Sequence, residues 1–198
     1  MTTEAQFYRM AEEWLYRLAE RNPVTATHLG IHEYDSRLGD RTLAALEEDQ
    51  REIRAALAQL RAMDLSEFRP DARIDHTLVT HILDSMVRSY EKFQGHLRAP
   101  GGYLEESLGG IFILIVRDFA PLPERLRSAL GRVRETPRVL REGMANIIPE
   151  RVPRVWAEIA LEQARQAPGL FVLLPAIAAE AAPDLQADLA QAGQAAAQ

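Results

Sequence analysis

Apolar residues recur at three- and four-residue spacing along most of this chain, and the elements they predict are helices. Phe7, Met10, Trp14 and Leu18 share one face, and Thr3-Glu4-Ala5-Gln6 ahead of them has the form of a capping box, so a helix is expected over about residues 4–21. Asn22-Pro23 ends it and opens a short turn with Pro at its first position and Gly30 closing it. Asp40 or Thr42 caps the next helix, in which Leu43, Leu46, Ile53, Leu57 and Leu60 form a stripe and Glu47 and Arg51 are spaced as an i,i+4 pair. Asp71 caps a third. Its Ile74, Leu78, Ile82, Met86, Tyr90, Phe93 and Leu97 hold a 3.6 period for about 25 residues, roughly 40 Å, which predicts a long central helix.

Ala99-Pro-Gly-Gly breaks that pattern, and Ile111-Phe-Ile-Leu-Ile-Val then reads locally as a strand bounded by Gly109-Gly110. No second segment offers it a partner, and an isolated strand would leave its backbone groups unpaired, so a helix buried on most sides is preferred. Pro123, Pro137, Pro153, Pro168 and Pro183 suit first turns of helices or the loops before them. The Ala- and Gln-rich end, residues 185–198, has little to bury and reads as a frayed or cut helix. The pattern as a whole predicts an all-α chain: a multi-helix array or bundle with one long central helix, no substantial sheet, and a single helical domain over residues 1–198.

Composition narrows the chemistry more than the fold. Among 198 residues, 47% hydrophobic and 26% charged is ordinary for a packed protein and argues against wholesale disorder. With no Cys there is no disulfide, no thiolate metal site and no Cys nucleophile. The net charge of −6, with arginines scattered among acids, makes nucleic acid a poor partner. The N-terminal residues lack a basic region leading into an apolar core, and the longest apolar runs, 111–116 and 170–179, fall short of the roughly 18 residues of a membrane span. A cytoplasmic protein with no membrane partner is expected.

Candidate chemistry concentrates between Asn22 and Asp40, where two His, several carboxylates and a tyrosine crowd a loop between helices. His28 and His32 have a metal-sharing spacing, but Gly30 lies between them. His32-Glu33 begins a His-Glu-x-x-His pattern, yet Ser36 stands where the second His belongs, and the motif occurs nowhere in the chain. No metal site and no catalytic residue is therefore assigned. His32, Tyr34 and Asp35 remain candidates for touching a polar ligand. The competing reading is a loop that locks itself, with Asp35 accepting hydrogen bonds and Tyr34 packing its ring. Adjacent pairs Glu12-Glu13 and Glu105-Glu106 point in different directions and form no acid/base dyad.

The order of features resembles a large bacterial family catalogued as domain of unknown function 885, whose members look like zinc peptidases of the gluzincin type. The residues that carry the resemblance are Phe7 and Trp14, then Pro23-Val-Thr-Ala-Thr-His-Leu-Gly-Ile-His-Glu-Tyr-Asp, Asp40, Ile74-Asp75, Arg125-Leu126, Pro137-x-x-Leu140 and Ala145-Asn146. It covers the N-terminal part of that family, whose chains are much longer. The resemblance implies zinc for the longer members, with the metal-binding helix outside this chain, and no cofactor within it. It further implies that these helices form one wall of a substrate cleft, with His32, Tyr34 and Asp35 facing peptide and a C-terminal catalytic part as partner. The alternative is a free-standing helical module that binds or self-associates through exposed apolar faces such as residues 170–174.

Overall fold

The computed structural model describes residues 3–198; the residues before Thr3, on which the reading of the N-terminal end partly rests, lie outside them. Among the described residues there is no strand, and the architecture is an all-α array. The chain divides into two compact units, Met1–Leu18 with Leu43–Gly95, and Ala19–Thr42 with His96–Gln198.

The first unit is built from α1 (Thr3–Arg21, all but its last turn), α3 (Leu43–Arg61) and α4 (Pro70–Arg88). Phe7, Ile53, Leu57, Leu60, Phe68, Ala72 and Leu83 form its core, with Met10 and Trp14 packed against it. Glu4 spans to the start of α4, accepting from the Arg69 backbone N–H at 2.9 Å and from its guanidinium at 2.7 Å. The i,i+4 pair expected of Glu47 and Arg51 is replaced by an i,i+3 pair, one residue shorter: Arg51 pairs with Glu48.

Two expectations fail on α4. Ile74, Leu78 and Ile82 are 67%, 57% and 43% exposed, whereas Ala72, His76 and Leu83 are buried. Both sets have helical spacing, so periodicity alone does not choose between faces. The second set faces inward because Ala72 admits close packing and His76 satisfies its ring by an Nε2 contact of 2.9 Å with the Leu60 carbonyl at the end of α3. Nor does the helix continue to Leu97. It widens into a π turn over Ser89–Phe93, and Gln94, at φ 53°, takes the left-handed conformation that ends it.

The second unit holds α2 (Pro23–Leu29), the short α5 (Gly95–Arg98) and α6 (Gly101–Leu104), a π turn over Glu105–Gly109, α7 (Gly110–Val116), α8 (Leu122–Asn146), α9 (Arg154–Ala181) and α10 (Gln186–Ala196). The apolar run chosen as helix over strand is α7, with Ile111 and Leu114 fully buried and Phe112 and Val116 about half exposed. Its C-terminal carbonyls are capped from outside. Buried Arg125 on α8 donates from Nη1 to the carbonyls of Leu114, Ile115 and Arg117 at 3.1, 2.9 and 2.8 Å, and from Nε to Ala120 O at 2.7 Å.

Pro137 and Pro168 lie inside α8 and α9, against the expectation of helix starts, and Pro175 lies inside α9 as well. Each interior Pro costs about 3 kcal/mol, and nearby burial opposes that cost: Val133 and Val139 flank Pro137, Phe171 and Leu174 stand between Pro168 and Pro175, and Ala178 follows them. The Ala-rich end likewise packs instead of fraying. Leu189, Ala192, Gly193 and Ala196 of α10 are buried against α8 and α9, because small side chains let helix backbones approach closely. No described helix is long and apolar enough to cross a membrane.

Candidate functional site

The stretch from Asn22 to Thr42 begins with α2, entered through Pro23 at its first turn and closed by Gly30 at φ 83°, where a side chain would be strained. Asn22 makes no side-chain cap; its Oδ1 accepts instead from Arg41 Nη1 at 3.0 Å. Past Gly30 the backbone has no regular structure, so its polar groups need other partners. One face of α8 supplies them. Arg132 Nε donates to Arg37 O at 3.1 Å, Glu135 accepts the Leu38 N–H at 2.8 Å, Arg138 Nη1 donates to Gly39 O at 3.2 Å, Glu142 accepts the Arg41 N–H at 2.8 Å, and Asn146 Nδ2 donates to Arg41 O at 2.6 Å. Glu106, from the π turn, accepts the Gly39 N–H at 2.9 Å and pairs with the Arg41 guanidinium at 2.8 Å. The loop lies so close to α8 at Gly131 that any Cβ there would collide with the Ser36 carbonyl.

Arg132, with no solvent exposure, is the hub of this arrangement. Its guanidinium donates to the carbonyls of Gly110 and, at 3.3 Å, Pro23, and to Thr27 Oγ1 at 2.6 Å. Thr27 in turn donates to Asp35 Oδ1 at 2.6 Å, and Arg132 Nη2 lies 3.9 Å from the same oxygen. Burial lowers the guanidinium to about 10, against the opposing pull of Asp35, Glu106 and Glu135, so it stays charged at neutral pH.

The structure joins two of the three candidate residues. The second carboxylate oxygen of buried Asp35 lies 2.9 Å from His32 Nδ1, and the imidazole stacks on Phe119 with centroids 3.9 Å apart and planes within 10°. An ionised carboxylate has only lone pairs to offer, so His32 donates from Nδ1 and, when neutral, presents an unprotonated Nε2. The ring is 37% exposed. Tyr34 engages other neighbours: Arg37 lies over its ring at 5.8 Å, and its hydroxyl is raised above the ordinary phenol range by desolvation first, then by the charges of Glu33 and Glu20. His28 is exposed at the C-terminal end of α2, where its carbonyl accepts from Arg117 Nη1 at 3.1 Å. Among the described residues no three His, Asp or Glu side chains converge on a metal position.

Sequence reasoning missed Arg132, Glu135, Arg138 and Glu142. Their spacing, completed by Asn146, was a signal in principle: a polar stripe on one helix face, of the kind normally solvated.

Fold and site together define an all-α protein that presents a polar loop clamped by a long helix. The chain belongs to the family described as bacterial protein of unknown function (DUF885), whose model matches residues 23–198. Among solved structures it is similar to one described as "a putative lipoprotein of unknown function" from Shewanella oneidensis, at TM-score 0.84 and 24% identity, over 96% of this chain and 35% of that one. The chain thus spans about a third of the length of that structure, and the likeness is one of fold. Comparison with curated proteins returns no match.

Proposed function

We propose that this chain is a non-catalytic, N-terminal helical part of a metallopeptidase-like protein, forming one wall of a substrate cleft over which the Asn22–Asp40 loop presents His32. The observation that carries this reading is the Asp35–His32 pair. A loop that only needed locking is already held by Arg132 and its neighbours, whereas an exposed imidazole fixed by a buried carboxylate and an aromatic stack suits hydrogen bonding to a ligand N–H or O–H. Asp35 acts as a positioning residue and Tyr34 as a neighbouring contact. Zinc and the hydrolytic step belong to a C-terminal catalytic part in this reading, and the chain by itself hydrolyses nothing.

The test is a longer protein carrying this chain and that catalytic part. His32→Gln is expected to lower kcat/KM on peptide about tenfold, equivalent to about 1.4 kcal/mol, with little change in melting temperature. An unchanged kcat/KM for His32→Gln, Tyr34→Phe and Asp35→Ala, with lowered thermal stability, would make the loop purely structural. A second reading is favoured by the exposed Ile74, Leu78 and Ile82 stripe: a free-standing module that binds or self-associates through apolar helix faces. Reading the gene past Gln198 separates the two. A His-Glu-x-x-His helix supports the first, a stop codon the second.

A further inference from the structure

Within the second unit, a groove of about 440 Å³ runs between two walls. One wall is α6, the π turn and the start of α7; the other is α9 around its interior Pro168-Gly169. Leu104, Leu108, Phe112, Leu170 and Leu173 make most of its surface apolar, and Phe112 and Leu173 are about half exposed. That volume is within the usual range of small-molecule sites, which pair apolar walls with a few placed polar groups.

The lining carries one charged side chain, Glu105. Its neighbour Glu106 is turned away and consumed by Arg41 and the Gly39 N–H, whereas Glu105 has no ion-pair or hydrogen-bond partner among the described residues. The absence of a side chain at Gly109 lets its carboxylate fold back along the π turn, since a Cβ there would overlap Oε1. Gln163 and Gln166 complete the polar part of the lining. A carboxylate without a partner beside an apolar trough selects a cation with an apolar tail. It would repel a fatty carboxylate, and a neutral alcohol, having no charge, offers it only an ordinary hydrogen bond. Phe112 adds an aromatic wall that can also favour a cationic head.

We propose that this groove binds a small amphiphilic primary amine, with the ammonium on Glu105 and the alkyl tail along Leu108, Phe112 and Leu173. Gly169 offers a clean blocking variant, because nothing lies within 4 Å of a Cβ built there. Gly169 lines the groove, so Gly169→Leu adds bulk to the groove wall.

The experiment is titration of the full chain with n-octylammonium and n-octanoate, each below its micelle-forming concentration, and with n-octanol below its solubility limit, followed by calorimetry and amide chemical shifts. Saturable octylammonium binding is expected, with shifts confined to residues around 104–112 and 163–173. Glu105→Gln should weaken it about tenfold, the scale of one charge-assisted hydrogen bond. Gly169→Leu should abolish it, and Phe112→Ala, at an exposed position, should weaken it while circular dichroism confirms that both variants stay helical. The proposal is overturned if octanoate or octanol binds as tightly as the amine, if Gly169→Leu leaves amine binding intact, or if no saturable binding occurs. Concentration-dependent dimers abolished by Gly169→Leu, without amine binding, would overturn it too by making the groove an interface between copies.

Discussion

Replacing Arg132 by Met removes the charge that faces Thr27 and Asp35 from the α8 side of the loop while keeping most of the side chain's volume. The variant leaves Asp35 buried, 6% exposed, with Thr27 and His32 as its remaining partners, and it takes a donor from the carbonyls of Arg37, Gly110 and Pro23. Removing one partner of a buried charge pair costs about 3–5 kcal/mol, because the other charge is stranded. For a chain of this size about 3–5 kcal/mol corresponds to roughly 6–20 °C in melting temperature, a large share of a typical total stability of about 5–15 kcal/mol. Urea unfolding followed by circular dichroism measures the loss, and hydrogen exchange at the loop amides of Leu38, Gly39 and Arg41 locates it. Asp35→Asn in the Arg132→Met background should cost less than it does alone, with a coupling of about 0.5–3 kcal/mol. An Arg132→Met variant that loses less than about 1 kcal/mol, or single effects that simply add, would refute the hub role assigned to Arg132.

Gly131→Ala should destabilise more than Gly30→Ala, although both lose a glycine. The second strains a left-handed residue for about 1 kcal/mol, whereas the first pushes the Ser36 backbone off α8; parallel denaturant titrations compare them. Ile74→Ser and Leu78→Ser should stay within about 0.5 kcal/mol of the parent, while Leu83→Ala on the opposite face of α4 should cost about 2–5 kcal/mol; melting curves distinguish them. Burial holds the His96 imidazole below its ordinary value, so the folded state takes up its proton less readily than the unfolded state does. Its contribution to stability is present above the ordinary imidazole pKa of about 6.5 and is lost as pH falls from there through the lowered folded value; His96→Leu should flatten that part of a stability–pH profile.

The helices of this chain are legible because helix formation depends on local spacing. Pro23 and Gly30 bracket α2 as the turn chemistry of these residues requires, and the 111–116 run is a helix because no other segment could have paired with it as a strand. The site was only half legible. Its residue types stand together in the chain from His32 to Asp35, but the residues that orient them come from about a hundred positions away on α8 and from Phe119. Where two faces of one helix both carry helical spacing, as in α4, only packing against a neighbour chooses between Ile74-Leu78-Ile82 and Ala72-His76-Leu83. Pro137, Pro168 and Pro175 make the same point in reverse: a locally unfavourable residue sits inside a helix when buried side chains nearby hold that helix in place.

The amino-acid sequence by itself determined the all-α class, the position of the Asn22–Asp40 loop and the family to which the chain belongs, because these rest on neighbours within a few residues. Only the tertiary structure decided that His32 and Asp35 act as a pair while Tyr34 stands apart, and that a polar stripe on α8 lies beneath the loop and bonds its backbone. The physical reason is the backbone of an irregular loop, whose hydrogen bonds must be completed by groups distant in the chain.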